Sequence, residues 1–167
     1  MRKFLSMTAI AAAVVAAPMQ AQEMVTVPRS PNTIAITASY AEDADFGVGL
    51  RYENDLNKLI SSMSPNVHFI IGADYFFPGD PVDSYAELNL NLSYQFGDMR
   101  RAIGPYFGGG LNLARLEAGP ISDTEVGLNI LGGLRFRSAS RMVPFVEVRY
   151  EIGGGEQFVI SGGLFLF

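Results

Sequence analysis

The most constraining feature of this sequence is an unbroken alternation of polar and apolar residues over positions 85–96. Every even position in this run is apolar or aromatic, and every odd position after Tyr85 is polar. Because successive side chains of a β-strand point to opposite faces, the pattern predicts a strand with one polar and one apolar face. The run is longer than the roughly five or six residues usual in soluble sheets, and it matches the roughly 9–11 of a tilted membrane-spanning strand.

Turn-forming clusters of Gly, Pro, Asp, Asn and Ser divide the rest of the chain into comparable segments. Eight strands are predicted, over 33–41, 45–54, 66–77, 84–97, 104–116, 124–137, 142–152 and 157–167. No helical segments alternate with them, so a parallel sheet is not expected. The even number of strands and the short connections predict an all-β fold, an eight-stranded antiparallel up-and-down barrel whose closure leaves no strand edge exposed.

The N-terminal residues have the order of a cleavable signal peptide. Arg2 and Lys3 precede an apolar segment that ends at Pro18, and Ala21 offers a small residue before the cleavage point. We therefore predict a signal peptide over 1–21 and a barrel domain over 22–167. The chain lacks cysteine, which excludes disulfides and thiolate metal sites. Its longest apolar run falls short of the roughly 18–20 residues that a membrane-spanning helix needs.

The polar face of the predicted strands carries charge without lysine, because Lys58, in a connector, is the only lysine after the signal peptide. Soluble surfaces usually include lysine among their mixed charges, whereas arginine, acids and small residues suit the cramped interior of an eight-stranded barrel. Glu147, Arg149 and Glu151 alternate along one strand face and predict an ion-pair ladder. The full predicted interior charge network is Arg51, Glu53, Glu87, Glu125, Arg135, Arg137, Glu147, Arg149 and Glu151.

The apolar face is nearly free of charge, as expected of a surface that meets lipid. Arg115 is the charged residue on this parity, and it lies near a strand end, from which its side chain can reach head groups. Aromatic residues gather at the strand ends, as in the two aromatic girdles of membrane barrels. One predicted girdle holds Tyr52, Tyr94, Phe96, Phe107, Phe136 and Phe165, and the other holds Tyr40, Phe46, Tyr75, Phe77 and Tyr150.

Segments 92–97, 104–110, 131–136, 144–150 and 161–167 resemble the small outer-membrane β-barrel family, the OmpX and OmpA-barrel type with its porin-like relatives. The resemblance implies a transmembrane barrel in the bacterial outer membrane, with Phe165 and Phe167 as the C-terminal signal read by the barrel-assembly machinery. The last strand departs from the pattern, since it is apolar on both faces. We expect its residues Phe158, Ile160, Leu164 and Leu166 to point inward. A soluble, lipocalin-like barrel is the alternative fold.

Two further features of the sequence contain residue types that could form a chemical site. His68, the only histidine, shares the polar face with Asp74 and invites comparison with barrel-type lipid deacylases. That family has a serine two residues after its histidine, and Ile70 stands there in this chain, so His68 is expected in the interior polar network. The predicted outer loops are acidic and offer divalent-cation ligands, although ordinary solvated loop tips are the favoured interpretation; the acids are Glu42, Asp43, Asp45, Asp80, Asp83, Glu117, Asp123 and Glu156.

The sequence therefore favours a non-enzymatic protein without cofactor or metal. The leading function is a structural or interaction role in the outer membrane, with a charged and largely plugged lumen. The alternative is a narrow, porin-like passive channel for ions or small solutes. The expected partners are outer-membrane lipids and lipopolysaccharide, and the barrel-assembly machinery during biogenesis. Nucleic-acid binding is not expected, because the net charge is −5 and no basic stripe is present.

Overall fold

The computed structural model describes residues 32–80, 82–96, 102–136, 142–153 and 156–166. The predicted signal peptide, Arg137 and Phe167 lie outside the described residues. The described chain forms eight antiparallel strands joined in a closed ring in chain order, with β8 pairing back to β1. The strands are β1 (Asn32–Ala41), β2 (Asp45–Asp55), β3 (Val67–Phe77), β4 (Ser84–Gln95), β5 (Ile103–Ala118), β6 (Ile121–Phe136), β7 (Met142–Ile152) and β8 (Phe158–Leu166).

The predicted eight-stranded antiparallel up-and-down barrel is confirmed, and most strand boundaries agree with the prediction within two residues. The exception is the start of β6, which lies three residues earlier than predicted, at the turn that β6 shares with β5. A short helix, α1 (Leu56–Leu59), occupies part of the long connector between β2 and β3. Among the described residues, no helix is long and apolar enough to cross a bilayer.

Strands β5 and β6 form a hairpin that extends past the rest of the ring. They pair along their whole length, from Ile103↔Phe136 to Ala118↔Ile121. The next strand, β7, begins to pair with β6 only at Leu128↔Ile152. Gly119 closes the hairpin with a φ of 57°, a left-handed conformation that glycine adopts without steric cost. The hairpin therefore projects beyond the point where β7 ends.

Alternation along the strands separates an apolar outer wall from a polar interior. Leu90 and Leu128 are 40% and 54% exposed on the outside, whereas Asn89 and Asn129 are buried inside. Glycines on the interior parity make room for large interior rings. A Cβ at Gly163 would lie 2.5 Å from the Phe145 ring, and one at Gly133 would lie 2.5 Å from the Tyr106 ring.

The predicted orientation of β8 is wrong. Phe158, Ile160 and Leu166 are exposed on the outer wall, and Val159 and Phe165 are buried in the interior. The register decides this, because the β1–β8 pairing places Phe165 beside Ala35, which also faces inward. A strand with apolar residues on both faces gives no alternation from which its direction can be predicted.

Exposed aromatic residues gather near both ends of the outer wall, as the predicted girdles require, with one exception. Phe165 is 2% exposed and stacks on Phe145 inside the barrel, with ring centroids 4.8 Å apart. Its predicted place in the girdle is therefore wrong. We call the end with the β1–β2, β3–β4, β5–β6 and β7–β8 connections the acidic end, and the opposite end the connector end.

Candidate functional site

The interior of the barrel carries the polar chemistry of the described chain. Its buried charged residues include three arginines and five carboxylates on the inward face of the strands. They form three groups along the bore: a connector-end pair, a central pair and an acidic-end cluster. Their members are Arg51, Arg135, Arg149, Glu53, Asp74, Glu87, Glu147 and Glu151.

The connector-end pair joins opposite sides of the ring. Arg135 on β6 donates from Nη2 to Glu53 Oε2 on β2 at 2.8 Å, and from Nη1 to Gln95 Oε1 at 3.2 Å. Strands β2 and β6 lie four places apart in a ring of eight, so this ion pair spans the bore. The Arg135 guanidinium also lies over the rings of Tyr106 and Phe165, at 4.6 and 5.2 Å from their centroids. These rings cover the cation with apolar surface and add cation–π attraction.

The central pair consists of Arg51 on β2 and Glu147 on β7. Both terminal nitrogens of Arg51 contact the two oxygens of Glu147, and the Nη1–Oε2 distance is 2.9 Å. Tyr106 donates its hydroxyl to the same Oε2 at 2.9 Å, and the Phe145 ring lies 4.8 Å from the guanidinium carbon. Two-pronged contact of this kind is the strongest ion-pair geometry available to arginine. It fixes the orientation of both side chains.

The acidic-end cluster places one cation among three carboxylates. Arg149 donates from Nε to Glu151 Oε1 at 2.8 Å, from Nη1 to Asp74 Oδ2 at 3.3 Å, and from Nη2 to Glu87. Asp74 on β3 lies four strands from Arg149 on β7, so this cluster also crosses the bore. Gln157 donates to Glu87 and Glu151 at 3.0 and 3.1 Å. A guanidinium with its donors spread over three acids is held from three sides.

A layer of asparagines joins the walls between these groups. Asn129 donates to the side-chain oxygens of Asn89 and Asn91 at 2.7 and 3.1 Å. Asn112 donates to Asn89 at 3.1 Å and to Glu151 at 3.2 Å. A cavity of about 10 Å³ between the central pair and the acidic-end cluster is lined by residues that include Thr37, Arg51, Asp74, Asn89, Asn91 and Arg149. That volume accommodates about one water molecule.

The structure brings most of the predicted network together. Seven of its nine residues take part in the three groups: Arg51, Glu53, Glu87, Arg135, Glu147, Arg149 and Glu151. Glu125 does not, because it is exposed in the hairpin beyond the last pairing of β6 with β7. Its predicted interior place is therefore wrong. Arg137 lies outside the described residues.

Two interior residues outside the predicted network, Tyr106 and Gln157, hydrogen-bond its carboxylates. Tyr106 shares its parity with Asn112, and this signal would have placed its hydroxyl inside. Asp74 was placed on the polar face but not in the charge network. It accepts from Thr37 at 3.3 Å as well as from Arg149.

His68 lies in the same interior, near the connector end. Its Nδ1 is 2.9 Å from Asp55 Oδ1 and 3.6 Å from Glu53 Oε1, so it is close to the acid that holds Arg135. No group of three or more His, Cys, Asp and Glu residues in the described ranges is arranged to hold a metal ion. The geometry is that of a buried polar network whose contacts are made within the chain.

Comparison with solved structures identifies the fold. The chain superimposes on the N-terminal β-barrel domain of Pseudomonas aeruginosa OprF with a TM-score of 0.61 and 15% identity, over 80% of this chain and 96% of that one. This is the eight-stranded transmembrane-barrel fold. Neisserial surface protein A gives a TM-score of 0.58 at 15% identity, over 81% and 94% of the two chains. A de novo designed transmembrane β-barrel gives 0.54 at 12% identity, over 83% and 98%.

Sequence comparison adds no family. No family model matches the chain. A stretch of 50 residues is 40% identical to cytoplasmic phosphoglucomutase of Bromus inermis, which is 30% of this chain and 9% of that protein. The match covers less than a tenth of the phosphoglucomutase and less than a third of this chain. It therefore does not describe the barrel as a whole. The likeness to the solved barrels rests on the fold.

Proposed function

We propose that this chain is an integral protein of the bacterial outer membrane, with a structural or interaction role and a lumen closed by its own side chains. The outer wall supports the membrane location, because its exposed surface is apolar between two aromatic zones. A signal peptide over 1–21 delivers the chain to the periplasm, and the barrel-assembly machinery inserts it through the C-terminal residues Phe165 and Phe167. Outer-membrane lipids and lipopolysaccharide surround the barrel.

One observation carries the closed lumen. The pairs Arg135–Glu53 and Arg149–Asp74 each join strands that lie opposite in the ring, at two depths of the bore. Arg51 and Glu147 close the space between them. An eight-stranded barrel has an interior just wide enough for side chains, so ion pairs that span it leave no continuous aqueous path. The interior thus serves to hold the walls together.

No reaction is assigned to the protein. The buried carboxylates are engaged by arginine, asparagine or glutamine donors, and His68 is fully buried beside Asp55. A general acid, base or nucleophile must come within hydrogen-bond reach of a substrate. Groups enclosed between the walls of a packed barrel do not offer that reach.

Single-channel recording tests the closed lumen. The refolded mature chain is inserted into a planar lipid bilayer, with an open porin prepared in the same way as the positive control. We expect no steady conductance above the baseline, and we expect brief openings to become more frequent in Arg149→Ala. A large, steady conductance of the unmodified protein would reject the closed lumen and establish the narrow passive channel instead.

Cell fractionation tests the location separately. The full chain is expressed in a Gram-negative host, and membranes are separated on a density gradient. We expect the protein in the outer-membrane fraction, shortened by the signal peptide, and we expect less of it there when Phe167 is deleted. Recovery of the mature chain as a free periplasmic protein would refute the membrane location and restore the soluble, lipocalin-like alternative.

A further inference from the structure

The mouth of the barrel at the acidic end contains a cavity of about 100 Å³. Residues of three end connections and two strands line it, and they include Asp43, Ala44, Val82, Tyr85, Leu116 and Gln157. A water molecule needs roughly 10–15 Å³ of such space, so the cavity has room for a small organic molecule. We call it the mouth cavity.

The walls of the mouth cavity are mostly apolar. The aliphatic side chains among its lining residues are Ala44, Pro78, Val82 and Leu116. Ala44 and Tyr85 belong to a buried apolar cluster, and Leu116 packs against this cluster. A polar group that enters such surroundings without a hydrogen bond is penalised. A ligand that fits this cavity therefore has an apolar part that contacts the walls.

Gln157 brings an unused hydrogen-bond acceptor to this cavity. The residue is 3% exposed, and its Nε2 donates to the Tyr85 hydroxyl at 3.1 Å, to Glu87 at 3.0 Å and to Glu151 at 3.1 Å. Because an ionised carboxylate only accepts, these contacts fix which branch of the amide carries the nitrogen. Oε1, on the other branch, is buried and has no hydrogen-bond partner among the described residues. Such an acceptor favours a ligand that donates to it.

The charge next to the mouth cavity is negative. Gln157 contacts two carboxylates of the acidic-end cluster, in which three carboxylates share the guanidinium of Arg149. This cluster therefore has an excess of negative charge. Asp43, which is exposed, adds a carboxylate to the lining of the cavity. A cation in the mouth cavity is attracted by these groups, and an anion is repelled.

The lining of the cavity suits an organic ammonium better than a metal ion. Calcium takes about six to eight oxygen ligands, whereas the aliphatic walls of this cavity supply none. The residues that the structure describes also contain no cluster of three or more acids, histidines or cysteines that could hold a metal. A primary alkylammonium meets both requirements, because its N–H groups can donate to Gln157 Oε1 and its chain can contact the apolar walls.

We propose that the mouth cavity binds a primary alkylammonium ion, either a short monoamine or one end of a linear diamine. The ammonium group donates to Gln157 Oε1 and is attracted by the acidic-end cluster. The alkyl chain packs against Val82 and Leu116. This site goes beyond the proposed structural role, because a ligand at the mouth leaves in place the ion pairs that span the bore.

Carbon-13 NMR of the refolded, isotope-labelled barrel in zwitterionic micelles tests the site without any variant. The probe is butylammonium, and the side-chain carbonyl carbon of Gln157 is the reporter. Gln95 is the internal control, because its Oε1 already accepts from Arg135 at the connector end. We expect butylammonium to shift the Gln157 signal in a saturable manner and to leave the Gln95 signal in place. Absence of a saturable shift at Gln157, or equal shifts at both residues, would overturn the proposal.

Two matched probes separate the hydrogen bond from the charge. Butyltrimethylammonium keeps the charge and the chain but has no N–H group, and we expect it to bind at least about tenfold more weakly than butylammonium. Butanol keeps the chain and a donor but has no charge, and we also expect it to bind more weakly. Binding of either probe as tight as that of butylammonium would refute a site for a primary ammonium.

Matched variants locate the site. Val82→Phe fills the cavity and should abolish the Gln157 shift, whereas Ile121→Phe adds the same ring at an exposed position of the acidic end and should leave the shift unchanged. Asp43→Asn should weaken binding by about threefold, and Glu42→Gln, next to it in the chain but not in the lining, should have a smaller effect. Undiminished binding to a folded Val82→Phe barrel, or equal effects of the two charge variants, would place the ammonium elsewhere and overturn the proposal. Conductance recorded on the same samples separates the claims, because a closed barrel that binds no butylammonium refutes the mouth-cavity site and leaves the proposed function standing.

Discussion

The interior network and the protruding hairpin are built from the same strands and differ in everything that surrounds them. Glu87 and Glu125 both lie on the inward parity of their strands. Glu87 is 4% exposed and held by Arg149, whereas Glu125 stands exposed, where β7 has already ended. The difference shows that a polar residue on the inward parity of a strand is not necessarily buried. Closure of the ring at that depth turns a polar strand face into a packed core.

The same contrast holds on the apolar face. Leu90 and Val126 are both on the outward parity, yet Leu90 lies in the middle of a fully paired wall, whereas Val126 lies on β6 beyond its last pairing with β7. Depth along the barrel therefore determines what each substitution does. Each of the following changes is compared with a change at a different depth or on a different face of the barrel.

The largest effect is expected at Arg149. Arg149→Ala leaves Asp74, Glu87 and Glu151 buried without their cation, and removing one partner of a buried charge group costs about 3–5 kcal/mol. The free energy of unfolding is measured by reversible urea titration of the barrel in lipid vesicles. Arg115→Ala, which breaks an exposed pair, should cost at most about 1 kcal/mol. Equal losses in the two variants would mean that the interior pairs are hydrated like surface ones.

A somewhat smaller effect is expected on the outer wall. Leu90→Arg places a charge at mid-depth of the lipid-facing surface, at a cost of about 2–4 kcal/mol in the same titration. Val126→Arg, on the same parity in the hairpin, should cost no more than about 1 kcal/mol because it lies beyond the closed wall. Tolerance of arginine at both positions would contradict burial of the wall in lipid.

A single interior hydrogen bond gives the next effect. Tyr106→Phe removes the hydroxyl that donates to Glu147, and hydrogen bonds to charged groups contribute about 1.5–3 kcal/mol. Tyr75→Phe, on the exposed outer wall, removes a hydroxyl near the membrane surface and should change the free energy of unfolding by less than about 0.5 kcal/mol. A Tyr106 variant as stable as the Tyr75 variant would show that Glu147 finds another donor.

The smallest effect is expected at Glu125. Glu125→Gln changes an exposed residue of the hairpin, and surface changes of this kind usually fall within about 0.5 kcal/mol. A destabilisation as large as that of Arg149→Ala would place Glu125 in the interior network after all. It would also mean that the barrel wall is closed at the depth of Glu125, as the sequence pattern predicts.

The sequence predicts the wall of the barrel well, because the alternation of polar and apolar residues within each strand distinguishes its two faces. The alternation over 85–96 anticipates that Asn89 lies inside and Leu90 outside. It fails for β8, where Phe158 and Val159 are both apolar and no contrast marks the inner face. It fails for Glu125 because the alternation along β6 does not indicate where the neighbouring strand β7 ends.

The interior partners are harder to predict than the wall. Arg149 meets Asp74 across the bore at a separation of 75 residues, and this meeting depends on the stagger of all the strands between them. The alternation within a strand predicts whether each side chain points inward or outward, but it does not predict the depth of that side chain along the bore. The sequence therefore identifies most of the members of the network, and the closed ring decides which of them meet.

The membrane location and the closed interior both require that the apolar face of the wall meets lipid. Spin labels placed singly at positions 89, 90, 128 and 129 of the refolded barrel in lipid vesicles measure this directly. We predict that lipid-soluble oxygen relaxes the labels at 90 and 128, and that those at 89 and 129 are shielded from both oxygen and a water-soluble nickel chelate. Relaxation of the labels at 90 and 128 by the nickel chelate, with no response to oxygen, would place the apolar wall outside the membrane and contradict the account.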